Sequence, residues 1–148
     1  MLIKKNLIKS ERNLKLLSEN LNHLCHFLDE VYDINAGGCC YIAGLIAKLL
    51  EDDNIDFSVI VYECDCEDFY DLDCSQYHYA ISFNVDIING DDYDEVGYSS
   101  FNNVSSKDLF EHYQECCWNE QYNSENNKFI KDTIKTFYGN FTKNLREW

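Results

Sequence analysis

The spacing of apolar residues predicts a long amphipathic helix near the start of the chain. Between residues 7 and 31, leucines recur at every seventh position and a second apolar set falls between them: Leu7, Leu14, Leu21 and Leu28, with Leu17, Leu24 and Val31. This double register places both sets on one side of a helix. We expect the helix to cover the core of its own chain, and a dimer formed through it is the alternative.

A second helix is predicted from the run NAGGCCYIAGLIAKLL, residues 35–50, and should end near Asp52. Its apolar positions recur three and four residues apart, as in a helix packed on one face. Gly37 and Gly38 allow a sharp turn and a close backbone approach just before the first helical turn. A cysteine at that point lies at the positive end of the helix dipole, which favours the thiolate. Cys39 and Cys40 are therefore candidate nucleophiles.

Strands are predicted in the middle of the chain. The run FSVIVY, residues 57–62, is rich in β-branched and aromatic side chains, and residues 77–83 alternate between apolar and polar. Residues 85–88 should pair with the second run through a turn at Asn84 and Val85. That register would place Asp91 opposite His78, with Asn89 diagonal to it on the same face.

After Gly97 the pattern predicts helices again. Ser105 and Asp108 have the spacing of a capping box, which would begin a helix that reaches about Trp118. Another helix is predicted from about residue 127 to 138, with Gly139 as its stop. The tail should dock through apolar residues, namely Phe141, Leu145 and Trp148. We see no linker or repeat, so residues 1–148 are expected to form one α+β domain.

The charge is segregated along the chain. The formal net charge is −15, and no Lys or Arg lies between Lys48 and Lys107. Fifteen of the 27 acidic residues lie in that interval, and the other 12 are balanced by the 12 basic residues. The acidic segment, residues 49–106, therefore carries the whole net charge. Such a field repels nucleic acid and attracts basic protein surfaces.

A cysteine that opens a helix, followed by a histidine that opens a strand, resembles the plan of papain-like cysteine hydrolases. GGCCYIAGLIAKLLE resembles the segment around the papain nucleophile and the R-G-G-x-C-[FY] signature of arylamine N-acetyltransferases, although Ala36 stands in place of the arginine. Transglutaminase-like proteins share this order of elements. The resemblance implies a papain-like core, in which the nucleophile helix packs on a small antiparallel sheet, with a long N-terminal helix and two C-terminal helices. It also selects Cys40 as the nucleophile, with Tyr41 as the aromatic residue that follows.

His78 is the candidate general base, because it alone among the histidines follows the nucleophile on a predicted strand. Small papain-like and transglutaminase-like proteins place Asn or Asp about eleven residues after this histidine, which corresponds to Asn89 here. Asp91 ranks second and Asp92 third as the group that orients the imidazole. The Cys40 backbone N–H would stabilise the oxyanion, and Asn35 is the nearest amide side chain upstream that could help it.

We predict no resident metal and no cofactor. A zinc site is the alternative use of His78, because it forms the pattern C-x-C-x7-C-x3-H with Cys64, Cys66 and Cys74. The chain begins without the continuous apolar core of a secretion signal, so we expect a cytoplasmic protein whose cysteines are mostly reduced. The absence of proline and the wealth of Asn, Asp, Ile, Lys and Tyr are typical of AT-rich genomes, such as those of low-GC bacteria and their phages.

Two functions follow from these observations. The first is a cysteine hydrolase or acyltransferase that acts on an amide or thioester bond, with a basic peptide or protein as substrate. The second is an acidic inhibitor without catalysis, which mimics nucleic acid and occupies a basic protein groove, as inhibitors of restriction or CRISPR systems do. Both readings predict a basic protein partner, no direct contact with nucleic acid and no membrane.

Overall fold

The computed structural model describes residues 10–35, 37–63, 77–90, 97–116 and 124–145. They form four α-helices, four strands and a short 3-10 turn. The helices are α1 (Glu11–Tyr32), α2 (Cys39–Asp52), α3 (Ser106–Cys116) and α4 (Asn127–Asn144), and the turn is Ser124–Asn126. The strands are β1 (Ser58–Glu63), β2 (Tyr77–Ser82), β3 (Ile87–Ile88) and β4 (Tyr98–Phe101). The α+β class and the long N-terminal helix are confirmed. Within the described residues, every helix is too short or too polar to cross a bilayer.

The strands form one antiparallel sheet in the order β3-β2-β1-β4. Ile81 lies opposite Ile88, which confirms the predicted register of β2 and β3 around Asn84 and Val85. The edge strand β4 was not predicted, since helix was expected after Gly97. All four of its residues are exposed, so it lacks the apolar alternation that marks a half-buried strand.

The two faces of the sheet have different neighbours. Side chains alternate along each strand, so Val59 and Ile81 share one face while Tyr62 and His78 share the other. The first face packs against α1 and α2 and completes the main core, to which α2 contributes its apolar stripe and α3 and α4 contribute further buried residues. The second face carries a smaller cluster, formed by Ile60, Tyr62 and Ala80 with Ile87 at its margin.

The leucine seam of α1 is part of the chain's own core. Leu17, Leu21 and Leu28 are buried there against the sheet and the other helices, as the first of the two interpretations predicts. Val31, by contrast, is 54% exposed. Ser10 caps the helix by accepting a hydrogen bond from the Asn13 N–H. Leu14 and Leu24 are half-buried, and Leu7 lies outside the described residues.

The end of α2 is a Schellman motif. Asn54 adopts a left-handed conformation, with φ of 57°. The Ile55 N–H donates to the Leu50 carbonyl and the Asn54 N–H donates to the Glu51 carbonyl, which satisfies two of the last helical acceptors. Buried Ile55 then directs the chain into β1.

The last two helices begin where the sequence predicts, but α4 ends later than predicted. Ser105 and Asp108 exchange the two hydrogen bonds of a capping box at the start of α3, as predicted. The prediction that Gly139 ends the last helix is wrong, because α4 continues to Asn144. A helical glycine costs about 1 kcal/mol relative to alanine. Burial of Thr142 and Leu145 beyond it offsets that cost.

Candidate functional site

Cys40 lies in the first turn of α2, where the sequence places the nucleophile, but its thiol is fully buried. Its exposed fraction is 0%, and Sγ donates a hydrogen bond to the Leu109 carbonyl of α3 at 3.0 Å. A thiolate has no proton to give to a carbonyl, so this contact favours the neutral thiol. Cys39, the other candidate, is also buried. Burial and the hydrogen bond to Leu109 favour the neutral thiol of Cys40, whereas the helix dipole favours the thiolate, so the two influences oppose each other.

His78 lies on the face of the sheet that turns away from the main core. The residue is 1% exposed, and its ring lies 5.9 Å from that of Tyr62, centroid to centroid. Nε2 lies 2.5 Å from the backbone carbonyl of Asn89. Since a carbonyl only accepts, we assign the proton to Nε2. The ring is thus held by β2, by its neighbour on β1 and by the turn after β3.

Asn89 is linked to Asn35, as well as to the ring of His78. The two amide side chains donate to each other at 3.0 and 2.9 Å, and the Asn89 N–H donates to the Asn22 side chain of α1. Asn89 has a φ of 67°, which turns the chain away from β3. The structure therefore brings Asn35, Asn89 and His78 together. The group that meets the imidazole is the Asn89 carbonyl, while the Asn89 amide pairs with Asn35.

Cys40 packs in a different part of the structure from the ring of His78, as judged by the faces of the sheet that they meet. Cys40 belongs to the main core beside α3, and His78 points from the opposite face of the sheet. A Cys–His pair needs the sulfur within hydrogen-bond reach of the ring. In this arrangement Cys40 packs in the core, and His78 joins the sheet to the turn at Asn89.

Several predicted ligands and catalytic groups lie outside the described residues. These are Asp91 and Asp92, the lower-ranked partners of the imidazole, and the three cysteines of the zinc alternative, Cys64, Cys66 and Cys74. Within the part of the chain that the structure describes, no cluster of three or more His, Cys, Asp or Glu residues could hold a metal ion.

A cleft at one end of the sheet was not predicted from the sequence. It has a volume of about 750 Å³ and lies where α2 ends, β1 begins and β2 ends. We call it the terminal cleft; its lining includes Glu51, Asp56, Phe57, Ser58, Phe83 and Asn102. The Ser58 hydroxyl donates to the Asn102 side chain at 2.7 Å, which ties the start of β1 to the residue after β4. In the sequence, the polar residues that line the cleft stand next to the ends of strands. Only the strand order shows that these ends lie side by side.

Comparison of the chain with protein-family models, with curated proteins and with solved structures finds no match. The papain-like resemblance therefore has no support beyond the short motifs that suggested it.

Substitution of Asn89 should show what its side chain contributes. In Asn89→Gly the left-handed backbone remains favourable but the paired amide is lost, so we expect a loss of about 1 kcal/mol in the free energy of unfolding. Asn89→Ala should lose about 1 kcal/mol more, because alanine also resists a positive φ. Urea unfolding of both variants measures the difference.

Asn54→Gly is the matched control for this experiment. Asn54 has a similar positive φ, but its side chain is exposed, so glycine should change stability by no more than a few tenths of a kcal/mol. Equal stability of Asn89→Gly and the unmodified chain would contradict a stabilising role for the amide pair.

Proposed function

We propose that the protein is an acidic binding protein that occupies a basic surface of another protein, in a site that otherwise holds nucleic acid. The observation that carries this proposal is the segregation of charge. The whole net charge of −15 belongs to the acidic segment, in which no Lys or Arg occurs. A segment of this kind carries charge of a single sign, which speeds association with a basic surface and repels acidic ones.

Part of the acidic segment is used within the fold, and part is directed to solvent. Glu51 accepts two hydrogen bonds from Ser106, and Asp53 accepts one from the Tyr138 hydroxyl. Asp56 and Glu63 are exposed. Carboxylates of the second kind keep their charge available to a partner, since they are not committed to packing.

A hydrolase or acyltransferase is the second candidate. The contacts that join Asn35, Asn89 and His78 favour it, because they hold the predicted base in a fixed orientation. Against it stands the thiol of Cys40, which is buried and donates to the Leu109 carbonyl. Catalysis at Cys40 would require the start of α2 to leave its contact with α3. Binding through the acidic segment requires no such change.

A displacement assay tests the binding function. A nona-arginine peptide is first bound to a fluorescent DNA duplex, and the protein is then added while DNA release is followed by anisotropy. We expect release at low salt that weakens about tenfold or more when the salt is raised from 50 to 200 mM, because both sides of the contact are charged. Failure to release DNA at low salt would overturn the proposal.

Two charge-reversed variants show whether the acidic segment is responsible. Asp52→Lys with Glu63→Lys changes the segment, and Glu19→Lys with Glu115→Lys makes the same change of net charge on α1 and α3. We expect the first variant to lose about tenfold in affinity for nona-arginine, and the second about threefold or less. Equal losses would mean that net charge alone governs binding.

Labelling by iodoacetamide separates the two candidate functions. Under the binding proposal Cys40 reacts slowly, as a buried thiol does. Faster labelling of Cys40 than of the other cysteines, with a loss of that advantage in His78→Ala, would favour the hydrolase instead.

A further inference from the structure

Helix α1 carries a second strip of residues, which faces away from the core. We call it the outer strip; it consists of Leu16, Asn20, His23, Phe27 and Val31. At 100° per residue, these five positions fall within about 80° of one another around the helix axis. Its three apolar residues, Leu16, Phe27 and Val31, are 41%, 55% and 54% exposed. The outer strip is therefore an apolar surface that meets solvent.

The outer strip differs from the leucine seam, which the sequence allowed as a dimer contact. The buried part of the seam meets the core of its own chain, and its middle lies about 120° around the helix from the middle of the outer strip. Single exposed apolar side chains are normal on a protein surface. Three on one face of a helix, with an aromatic ring among them, are typical of an interface between proteins.

The charges along one edge of the outer strip change sign from the start of α1 to its end. Arg12 and Glu30 are both exposed on this edge. If a second copy of the helix packed in the same direction, equal charges would meet. In the antiparallel direction, Arg12 of each copy meets Glu30 of the other, so both contacts attract. Glu30 forms an ion pair with His26 at 3.1 Å in its own chain, but an exposed pair of this kind holds the side chain only weakly.

The same antiparallel direction also aligns the residues of the outer strip. Leu16 and Phe27 are symmetric about the position between residues 21 and 22, and so are Asn20 and His23. The two charged residues are symmetric about residue 21, which is almost the same point. A twofold axis there puts Leu16 of each copy against Phe27 of the other. Asn20 and His23 then form a polar layer between the two apolar contacts, and such a layer fixes the register of paired helices.

We infer that two copies of this chain associate through the outer strip, with their α1 helices antiparallel about a twofold axis. This inference goes beyond the proposed function and does not depend on it. Residues 1–48 contain six basic and five acidic residues, so the part of the chain that includes α1 has almost no net charge. The acidic segment does not include α1, and salt at about 150 mM screens charges more than about 8 Å apart. The net charge of the chain therefore does not prevent this contact.

Sedimentation equilibrium of the whole chain tests the inference, in about 150 mM salt and with a reductant that excludes disulfides. We expect a reversible dimer with a Kd between about 1 and 100 μM, because one pair of helices makes a small interface. A chain that stays monomeric at about 500 μM would leave the outer strip to a different partner and would overturn the inference.

Phe27→Glu should weaken the dimer about a hundredfold or more, because it places a carboxylate in the apolar contact twice. Phe27 is exposed, so the variant should keep its fold, which circular dichroism checks. Phe101→Glu is the matched control, since it makes the same change at an exposed aromatic residue of β4. It should change the Kd less than about threefold. A greater loss in Phe101→Glu than in Phe27→Glu would place the contact at β4 and overturn the inference.

An exchange of charges tests the antiparallel direction. Arg12→Glu and Glu30→Arg should each weaken the dimer about fivefold or more, because each change turns two attractions into two repulsions. The variant that carries both substitutions should recover the original Kd within about twofold, since each pair is restored with its signs reversed. If the double variant is as weak as the single ones, the inferred arrangement is wrong.

Discussion

The free energy of unfolding should fall by about 4 kcal/mol between pH 8 and pH 11, chiefly because the protons of Cys25 and Tyr138 are held more tightly in the folded chain than in the unfolded one. Burial, and then the carboxylate of Asp29, raise the pKa of the Cys25 thiol to about 12. Burial, and then the hydrogen bond to Asp53, raise the pKa of Tyr138 above its ordinary value. The protein should therefore be far less stable at high pH.

The direction of this pH dependence follows from the pH at which each group loses its proton in the folded and in the unfolded chain. Below the unfolded pKa of a group, about 9 for the thiol and about 10 for the phenol, both states are protonated and the stabilisation is complete. Above it, the unfolded chain releases the proton while the folded chain retains it. Each group then contributes a loss of up to about 1.4 kcal/mol per pH unit, until the folded pKa is reached.

Urea unfolding at several pH values, with a reductant present, measures this dependence. In the variant that combines Cys25→Ala with Tyr138→Phe, the decrease between pH 8 and pH 11 should shrink by at least half, whatever its stability at neutral pH. Tyr98→Phe, which alters an exposed tyrosine, should leave the decrease unchanged. An equal slope in the combined variant and the unmodified chain would refute the assignment.

Gly44→Ala should destabilise the protein by about 2 kcal/mol, even though alanine is the better helix former. Gly44 lies in the middle of α2, where a Cβ atom would come within 2.7 Å of Cε1 of Phe110 on α3. The ring is also held by Tyr41, whose centroid lies 5.8 Å away. The ring must therefore rotate against Tyr41, or the two helices must move apart.

Gly139→Ala is the matched control for this prediction, and it should have the opposite sign. Gly139 lies inside α4, and a Cβ atom built there meets no atom within 4 Å. Alanine should therefore stabilise the protein by about 0.5 to 1 kcal/mol, through helix propensity alone. Thermal or urea unfolding of the two variants gives the comparison.

A double-mutant cycle then tests whether the contact with Phe110 is the cause. Phe110→Leu removes the edge of the ring, so Gly44→Ala should cost about 1 kcal/mol less in that background. Additive effects would mean that the cost of Gly44→Ala arises elsewhere.

Local features of the fold could be predicted because each has a local cause. The capping box at Ser105 and the turn at Asn84 depend on residues only a few positions apart, and the structure has both. The end of α4 could not be predicted in this way. Gly139 weakens the helix locally, while the burial that carries it onward depends on how Leu145 meets the other helices.

The surroundings of His78 depend on which face of the sheet the helices cover, and the sequence pattern does not show this. Alternation shows that His78 and Tyr79 point to opposite faces of β2, but both faces are partly apolar, and the helices could cover either one. They cover the face of Tyr79, whose hydroxyl meets His112 of α3 at 2.8 Å. His78 therefore projects from the face that the helices leave, towards the turn at Asn89.

The order of strands also decides how early the chain can fold during its synthesis. β1 lies between β2 and β4, and the ribosome makes both partners after it. Val59 pairs with Phe101, so about 40 further residues, which take several seconds to make, must emerge before the sheet is complete. Most of the 15 acidic residues of the acidic segment are added in that interval, and their mutual repulsion opposes the association of unfinished chains through the uncovered edge of β1.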